Sequence, residues 1–264
     1  MVNYRKKGPS AKEEKIMRLL DELYMKDPCL GSRKLVPLLE REYEEPVNRK
    51  PIQRLRRKMG IEAIWCRPRH TSIPEAAHRK YPYLLRNRAV DHADEVWCSD
   101  ITYVPMPKGH AYLCAVMDWH SRKVLGWALS NTMDAMLTGN ALSMALGTGQ
   151  SIPLIFNTDQ GSQFTSKEWT GRLEGLGIEV SMDGRGRWMD NVFIERLWRS
   201  VKYEEIYLKE YGSVDALERG LTQWFERYNS WRPHQALGNR TPAQAYVEDR
   251  ERGDLPVDQE KIAA

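Results

Sequence analysis

Residues 96–130 read VWCSDITYVPMPKGHAYLCAVMDWHSRKVLGWALS, and the fold turns on this stretch. VWCSDITYVP is dense in β-branched and aromatic residues and reads as a strand. PKGH supplies a turn, AYLCAVMD a second strand, WHS another turn, and RKVLGWALS a third strand. Three consecutive strands on short turns make an antiparallel meander. Further along, the hydrophobic period changes. Residues 133–146 (MDAMLTGNALSMAL) predict a helix, and PLIFNT a short apolar strand that ends at Asp159. Ser166 can cap a helix reaching about Leu176, IEVSM is a last strand, and after the glycine-rich DGRGRWMDN loop a helix runs from Asn191 to Tyr203. A meander followed by alternating helices and strands predicts an α/β layer around a mixed five-stranded sheet.

The N-terminal part is different in kind. AKEEKIMRLLDELYMK (11–26) places Ile16, Leu19, Leu20 and Leu23 on one helical face behind an N-cap at Ser10. Gly31 and Ser32 open a second helix to Tyr43, and VNRKPIQRLRRKMG is a third, closed by Gly60. Val47, Ile52, Leu55 and Met59 can face inward, which leaves Arg49, Lys50, Gln53, Arg54, Arg56, Arg57 and Lys58 outside. Short helices on tight turns, the last one basic, predict a helix-turn-helix over residues 1–65 whose final helix meets DNA; a small bundle with a basic face is the plainer alternative. Residues 66–90, with Pro68, Pro74 and Pro82, read as a basic linker, 91–250 as an α/β core with C-terminal helices, and 251–264 as a tail. Residues 1–90 carry a net +11 and the remainder −7, so a nucleic acid gripped in front and processed behind suits the chain.

Composition narrows the classes further. A hydrophobic fraction of 41% in 264 residues is enough for a sizeable core plus a smaller domain. No stretch approaches the roughly 20 apolar residues of a membrane span, and MVNYRKKGPSAKEE lacks the apolar block of a secretory signal. The expected location is the cytoplasm. Cys29, Cys66, Cys98 and Cys114 form no C-x-x-C pair, and the cysteines that would complete a zinc module with His70 and His78 are missing, so the thiols read as reduced and mostly buried.

Three acidic residues sit where a carboxylate is awkward as mere structure. Asp100 interrupts a strand, Asp159 ends an apolar run before a turn, and Glu195 lies among Phe193, Ile194, Leu197 and Trp198. Such groups repel one another when brought together unless cations neutralise them, and hard oxygen ligands select Mg²⁺ or Mn²⁺. Two ions about 3.5–4 Å apart can activate an attacking oxygen and stabilise a leaving one in phosphoryl transfer.

WCSDITYVP, AVMDWHSRKVLGWALS, NTDQGSQFTS and GRGRWMDNVFIERLWRSVK resemble the DDE catalytic core of retroviral-type integrases and bacterial insertion-sequence transposases. The likeness is closest to the second-frame (OrfB) product of the IS-three family. It runs from residue 30 to about 246 and takes in GSRKLVPLL, VNRKPIQRLRRKMGI and YNSWRPHQALGNRTPAQAY. The resemblance implies an RNase H-like fold, catalytic metal-holding carboxylates at Asp100, Asp159 and Glu195, and two Mg²⁺ ions with Mn²⁺ able to substitute. It implies strand cleavage at element ends, then direct attack of the freed 3′-hydroxyl on another phosphodiester. Implied partners are terminal-repeat and target DNA, further copies of the chain on DNA, and an upstream-frame (OrfA) fusion partner; the implied setting is the bacterial nucleoid. This chain contains no heptad run of useful length, so it reads as the catalytic half alone. The rival readings are a catalytically silent DNA-binding regulator and an RNase H-like nuclease.

Other residues follow from spacing. Lys202 lies two helical turns after Glu195 and can hold a phosphate, or be an ordinary exposed lysine. Gly161 permits a tight turn after Asp159, with Ser162 and Gln163 as donors, and Asn191 either caps the Glu195 helix or meets substrate. Trp188, beside Arg185 and Arg187, can stack on an unpaired base or pack its loop. Asp118 matches a non-catalytic position in the resemblance, Asp183 and Asp190 read as solvated loop acids, and His234 as a packing or DNA-contact residue.

Overall fold

The structure is a computed structural model and describes residues 8–64, 81–148, 151–183 and 191–252. It divides into two compact units, residues 1–67 with 232–240, and residues 68–231 with 241–264.

The first unit is helical. α1 (Ala11–Lys26) starts in a full capping box: Glu13 N–H donates to Ser10 Oγ, and Ser10 N–H donates to the Glu13 carboxylate. α2 (Ser32–Tyr43) and α3 (Arg49–Met59) follow, the last closed by Gly60 at φ 71°, a left-handed conformation suited to glycine. Ile16, Leu20 and Leu23 of α1 are buried, as are Leu35, Leu38 and Leu39 of α2 and Ile52 and Leu55 of α3. These are the apolar positions that helical periodicity selects. Arg56 corrects the expectation that every basic residue of α3 faces out. It is buried, and its Nη1 donates to the Leu30 carbonyl at 2.8 Å. Arg49, Lys50, Gln53, Arg54 and Arg57 remain exposed, with Arg54 paired to Glu13 of α1 at 2.5 Å.

The second unit holds a five-stranded sheet in the order β3-β2-β1-β4-β5. β1 (Val96–Pro105), β2 (His110–Asp118) and β3 (Val124–Ser130) are the antiparallel meander. β4 (Ile155–Thr158) and β5 (Glu179–Met182) add in parallel, reached through α4 (Ala135–Thr148) and α5 (Lys167–Gly175). α6 (Val192–Val201), α7 (Val214–Ser230) and α8 (Pro242–Arg252) complete the unit. Strand alternation sorts the side chains into two cores. Trp97, Cys114, Val116 and Phe156 pack with Leu137, Leu142, Trp169 and Leu173 from α4 and α5. Cys98, Val104, Leu113 and Met117 pack on the other face with Ile194, Leu197, Leu221 and Trp224 from α6 and α7. The sheet therefore lies between helical layers.

Close approaches lock these layers. A Cβ on Gly126 of β3 would lie 2.3 Å from the Ala141 carbonyl oxygen and 2.5 Å from the Ala145 nitrogen of α4, so only glycine fits. Asn229 of α7 completes the edge of β3, accepting from Val124 N–H at 2.9 Å and donating to its carbonyl at 2.8 Å. Asp94 is buried and takes hydrogen bonds from Trp97 Nε1, Ser151 Oγ and the Tyr246 hydroxyl, which ties α8 to the start of β1. Residues at the end of the basic stretch lie on this unit as well: Leu85 packs with Val96 and Ile155, and Leu84 N–H donates to Ser181 Oγ. Among the described residues no helix is long and apolar enough to cross a membrane. Cys29, Cys98 and Cys114 are buried free thiols; Cys66 and His70 and His78 lie outside the described residues.

Candidate active site

Asp100 sits in the middle of β1 on the parity of Cys98 and Val104, and so faces α6. β4 runs parallel to β1 with a constant register, Val96 to Ile155, Trp97 to Phe156 and Cys98 to Asn157. Carried two residues further, the same offset sets Asp100 beside Asp159, which directly follows Thr158 at the end of β4. Neighbouring strands lie about 4.8 Å apart, so the two carboxylates share one notch in the sheet. α6 supplies the third side of the notch. Glu195, Trp198 and Lys202 follow one another at helical spacings of three and four residues and form one stripe. Trp198 is nearly buried and donates from Nε1 to Asp100 Oδ2 at 2.8 Å. The other Asp100 oxygen accepts the Ile101 N–H at 2.8 Å.

The electrostatics follow from this crowding. Burial pushes the Asp100 carboxyl up to about 7, the charges of Asp159 and Glu195 add to the rise, and the Trp198 and Ile101 hydrogen bonds oppose it. Loss of hydration raises Asp159 as well, against the pull of the Gly161 N–H, and it raises Glu195. Burial lowers Lys202, while the charge of Asp100 draws it back up. Asp100 thus feels the charge of Glu195, and Lys202 feels that of Asp100, as a shared face requires.

The residues flanking Asp159 are tied to β5 and the residue after it. Ser181 Oγ donates to Asn157 Oδ1, and Asn157 Nδ2 donates to Asp183 Oδ1, both at 2.8 Å. Gln160 Nε2 donates to the Asp183 carbonyl at 2.7 Å. Asp183 is therefore a half-buried structural acid and not a solvated one, which corrects the reading from sequence. Gly161 matters for a different reason than backbone freedom. Its N–H donates to Asp159 Oδ1 at 2.9 Å, and a Cβ there would sit 3.0 Å from that same oxygen. Asn191 occupies the N-cap position of α6, yet its side chain makes no capping hydrogen bond and is buried. The helix also ends earlier than predicted, passing at Lys202 into a π-turn (Lys202–Ile206). Buried Glu205 anchors that turn by accepting from Lys209 and Tyr211. Asp118 is fully buried and accepts from Asp94 N–H and from Ser121 N–H and Oγ, so it braces the β2–β3 turn. Arg185, Arg187, Trp188 and Asp190 lie outside the described residues.

The integrase core domain family matches residues 90–187, a second integrase core domain model matches 176–242, and the HTH-like domain family matches 11–70. The transposase assigned to insertion sequence element IS986/IS6110 of Mycobacterium tuberculosis (strain ATCC 25177 / H37Ra) is 31% identical over 234 residues, 84% of each chain. The transposase InsF of insertion sequence IS3A from Escherichia coli (strain K12) is 30% identical over 204 residues, 75% of this chain and 70% of its own. The chain belongs to the insertion-sequence transposases with an integrase core. This transposase is a DDE-type polynucleotidyl transferase of DNA transposition, consistent with the IS-three family. Among solved structures, the HTLV-2 integrase catalytic core domain in complex with magnesium overlays 60% of this chain and 99% of its own with a TM-score of 0.50 at 19% identity, a likeness of fold.

The sequence reading missed Trp198 as the partner of Asp100. Its spacing of three from Glu195 was the available signal, masked by the apolar character of indole. Among the described residues no three His, Cys, Asp or Glu side chains form a ready-made metal cage. The donor set of the transposase nevertheless suits hard divalent ions: oxygen ligands only, with one carboxyl driven up by burial and by its acidic neighbours.

Proposed function

We propose that Asp100, Asp159 and Glu195 are the catalytic carboxylates of this transposase, and that they hold two Mg²⁺ ions, replaceable by Mn²⁺, when DNA is bound. The observation that carries the reading is the strand register that sets Asp100 beside Asp159, with Glu195 close enough to perturb Asp100. When bound, such ions supply Lewis-acid activation of the attacking oxygen and charge neutralisation at the leaving one. The chain's own residues do the rest. Trp198 fixes the rotamer of Asp100 and keeps one oxygen in its ionised, acceptor form. Gly161 N–H does the same for Asp159. Lys202 faces the notch as a cation for a DNA phosphate.

Residues 1–65 act as the DNA-binding domain through Arg49, Lys50, Gln53, Arg54 and Arg57, and Arg185, Arg187 and Trp188 contact DNA from the segment before α6. Residues 91–250 act as the catalytic core, first cutting at the terminal repeats and then joining the freed 3′-hydroxyl to a second phosphodiester. The complex is a homo-oligomer on DNA, completed by the upstream-frame fusion partner, in the cytoplasm at the nucleoid. Labelled end DNA with Mg²⁺ or Mn²⁺ tests this, comparing wild type with Glu195→Gln and the frame-fused form in parallel. Metal-dependent joined product that disappears in Glu195→Gln supports the assignment; equal activity in the variant, or none in the fused wild type, overturns it.

A further inference from the structure

Glu195 stands in the first turn of α6, and that turn lacks a hold of its own. Asn191 at the N-cap makes no side-chain hydrogen bond to it. The N–H groups of a first turn have no partner within the helix, so an uncapped start frays unless tertiary contacts order it.

The order comes from the β2–β3 turn. Phe193, two residues before Glu195, packs against the core that α6 and α7 share. The Trp119 ring meets it edge-on at 4.9 Å between centroids, and the Arg122 guanidinium carbon lies 3.1 Å from its ring centre. Both side chains project from a stretch of backbone that is closed on itself. Asp118 N–H donates to the Lys123 carbonyl at 2.9 Å, Arg122 N–H to the Asp118 carbonyl at 3.0 Å, and Trp119 N–H to the Val96 carbonyl at 2.8 Å. The buried Asp118 carboxylate fixes the same turn through Ser121.

Arg122 is the unusual member. Its φ is 63°, a left-handed conformation that glycine and asparagine adopt more readily. It is half-buried and makes no ion pair among the described residues, and its Nη1 is buried without a hydrogen-bond partner. Burial pulls its pKa down to about 10, so it is still a cation at neutral pH. A half-buried cation with no carboxylate against it is costly as packing alone. The face of Phe193 is the favourable contact it does have, because the ring quadrupole attracts a cation there. Residues two apart on a helix point about 200° apart. A grip on Phe193 therefore sets the rotation of the turn without covering the side that carries Glu195. Trp198, bonded to Asp100, already anchors the turn that follows.

We infer that Arg122 is a positioning residue for Glu195: with Trp119 it clamps Phe193 and so orders the first turn of α6, which presents the carboxylate to Asp100. Its part in the reaction rests on the catalytic reading of Glu195.

The test uses the full chain, in the frame-fused form for reactions on DNA. Arg122→Met keeps the apolar stem and removes the charge, Phe193→Leu keeps bulk and removes the ring, and Arg122→Lys retains a cation. In the metal-free protein, hydrogen exchange is followed at Arg196, Leu197 and Trp198, whose N–H groups pair in a helix with the carbonyls of Val192, Phe193 and Ile194. It should quicken about ten-fold in Arg122→Met and Phe193→Leu and recover in Arg122→Lys. Exchange at Leu113 and Ala115 of β2 should stay as in wild type. On labelled end DNA, the Mg²⁺ concentration for half-maximal joining should rise about ten-fold in Arg122→Met and return in Arg122→Lys. Unchanged exchange in α6, or exchange quickened equally in β2, overturns the clamp. Faster exchange in α6 with an unmoved Mg²⁺ requirement overturns the positioning of Glu195 and leaves Arg122 a packing residue. Faster exchange confined to α6, beside a wild type that never cuts or joins, supports the clamp and sinks the catalytic reading alone.

Discussion

Replacing Asp100 by Asn should make the metal-free protein more stable at alkaline pH, although it removes a hydrogen-bonded side chain from the middle of the sheet. The Asp100 carboxyl rises from 3.8 to about 7 through burial and the charges of Asp159 and Glu195. A group raised on folding contributes stability that is fully present below its unfolded pKa and lost as pH climbs through its folded pKa. Wild type therefore gives up stability between about pH 4 and pH 8 at this one residue. At about 1.4 kcal/mol per pKa unit, the ceiling of that loss is about 4 kcal/mol. Asn keeps one oxygen acceptor where Asp100 uses two, for Trp198 and Ile101. Losing one such hydrogen bond costs about 1 kcal/mol, so the net gain at pH 8 is about 2–3 kcal/mol, or roughly 5–10 °C in Tm. Near pH 5 the raised carboxyl has cost wild type only about 1–2 kcal/mol, and the lost hydrogen bond offsets most of that in the variant, so the gain should shrink to within about 1 kcal/mol. Thermal unfolding of both proteins in chelator at pH 5 and pH 8 measures this directly, and added Mg²⁺ should then stabilise wild type but not Asp100→Asn. A variant no more stable than wild type at pH 8 would refute the account of Asp100 as a carboxylate stripped of water and crowded by like charge.

Trp198→Phe removes a hydrogen bond that holds Asp100 down, so the acid limb of the pH–activity profile should move to higher pH and joining at pH 7 should fall about ten-fold; an unmoved limb would show that Trp198 only packs. Gly126→Ala should destabilise the catalytic unit by about 3 kcal/mol in chemical denaturation, because its Cβ meets backbone of α4 that cannot rotate away. Arg57→Ala, an exposed residue of α3, should weaken DNA binding on all sequences and reduce the slope of log K against log salt by about one; an unchanged slope would remove Arg57 from the phosphate contacts.

Much of the architecture was readable because it is local. The alternation in VWCSDITYVP and AYLCAVMD, the turns between them and the caps at Ser10 and Ser166 each depend on a few neighbouring residues, and each element forms where that pattern predicts it. The failures are of another kind. Arg56 reads as a surface cation in a basic run and is buried because a carbonyl from the α1–α2 turn meets its guanidinium. Asp183 reads as a loop acid and is bound by Asn157 from a neighbouring strand. Asn191 has the composition of a helix cap without making the bond. For Arg56 and Asp183 the deciding partner is set by packing, and nothing in the flanking residues announces it.

The three carboxylates mark the same boundary. Their presence at awkward places in strand, turn and helix could be read from the chain alone, as could the mixed sheet that carries two of them. Their convergence could not. That depends on the parallel register between β1 and β4 and on the face α6 turns to the sheet, and both are outcomes of burying two apolar cores at once. Sequence determined which residues repeat with which period, because periodicity is a short-range property of the backbone. Tertiary structure decided which distant groups share a notch, lose their water and shift one another's protons, because those energies exist only once the chain has closed around them.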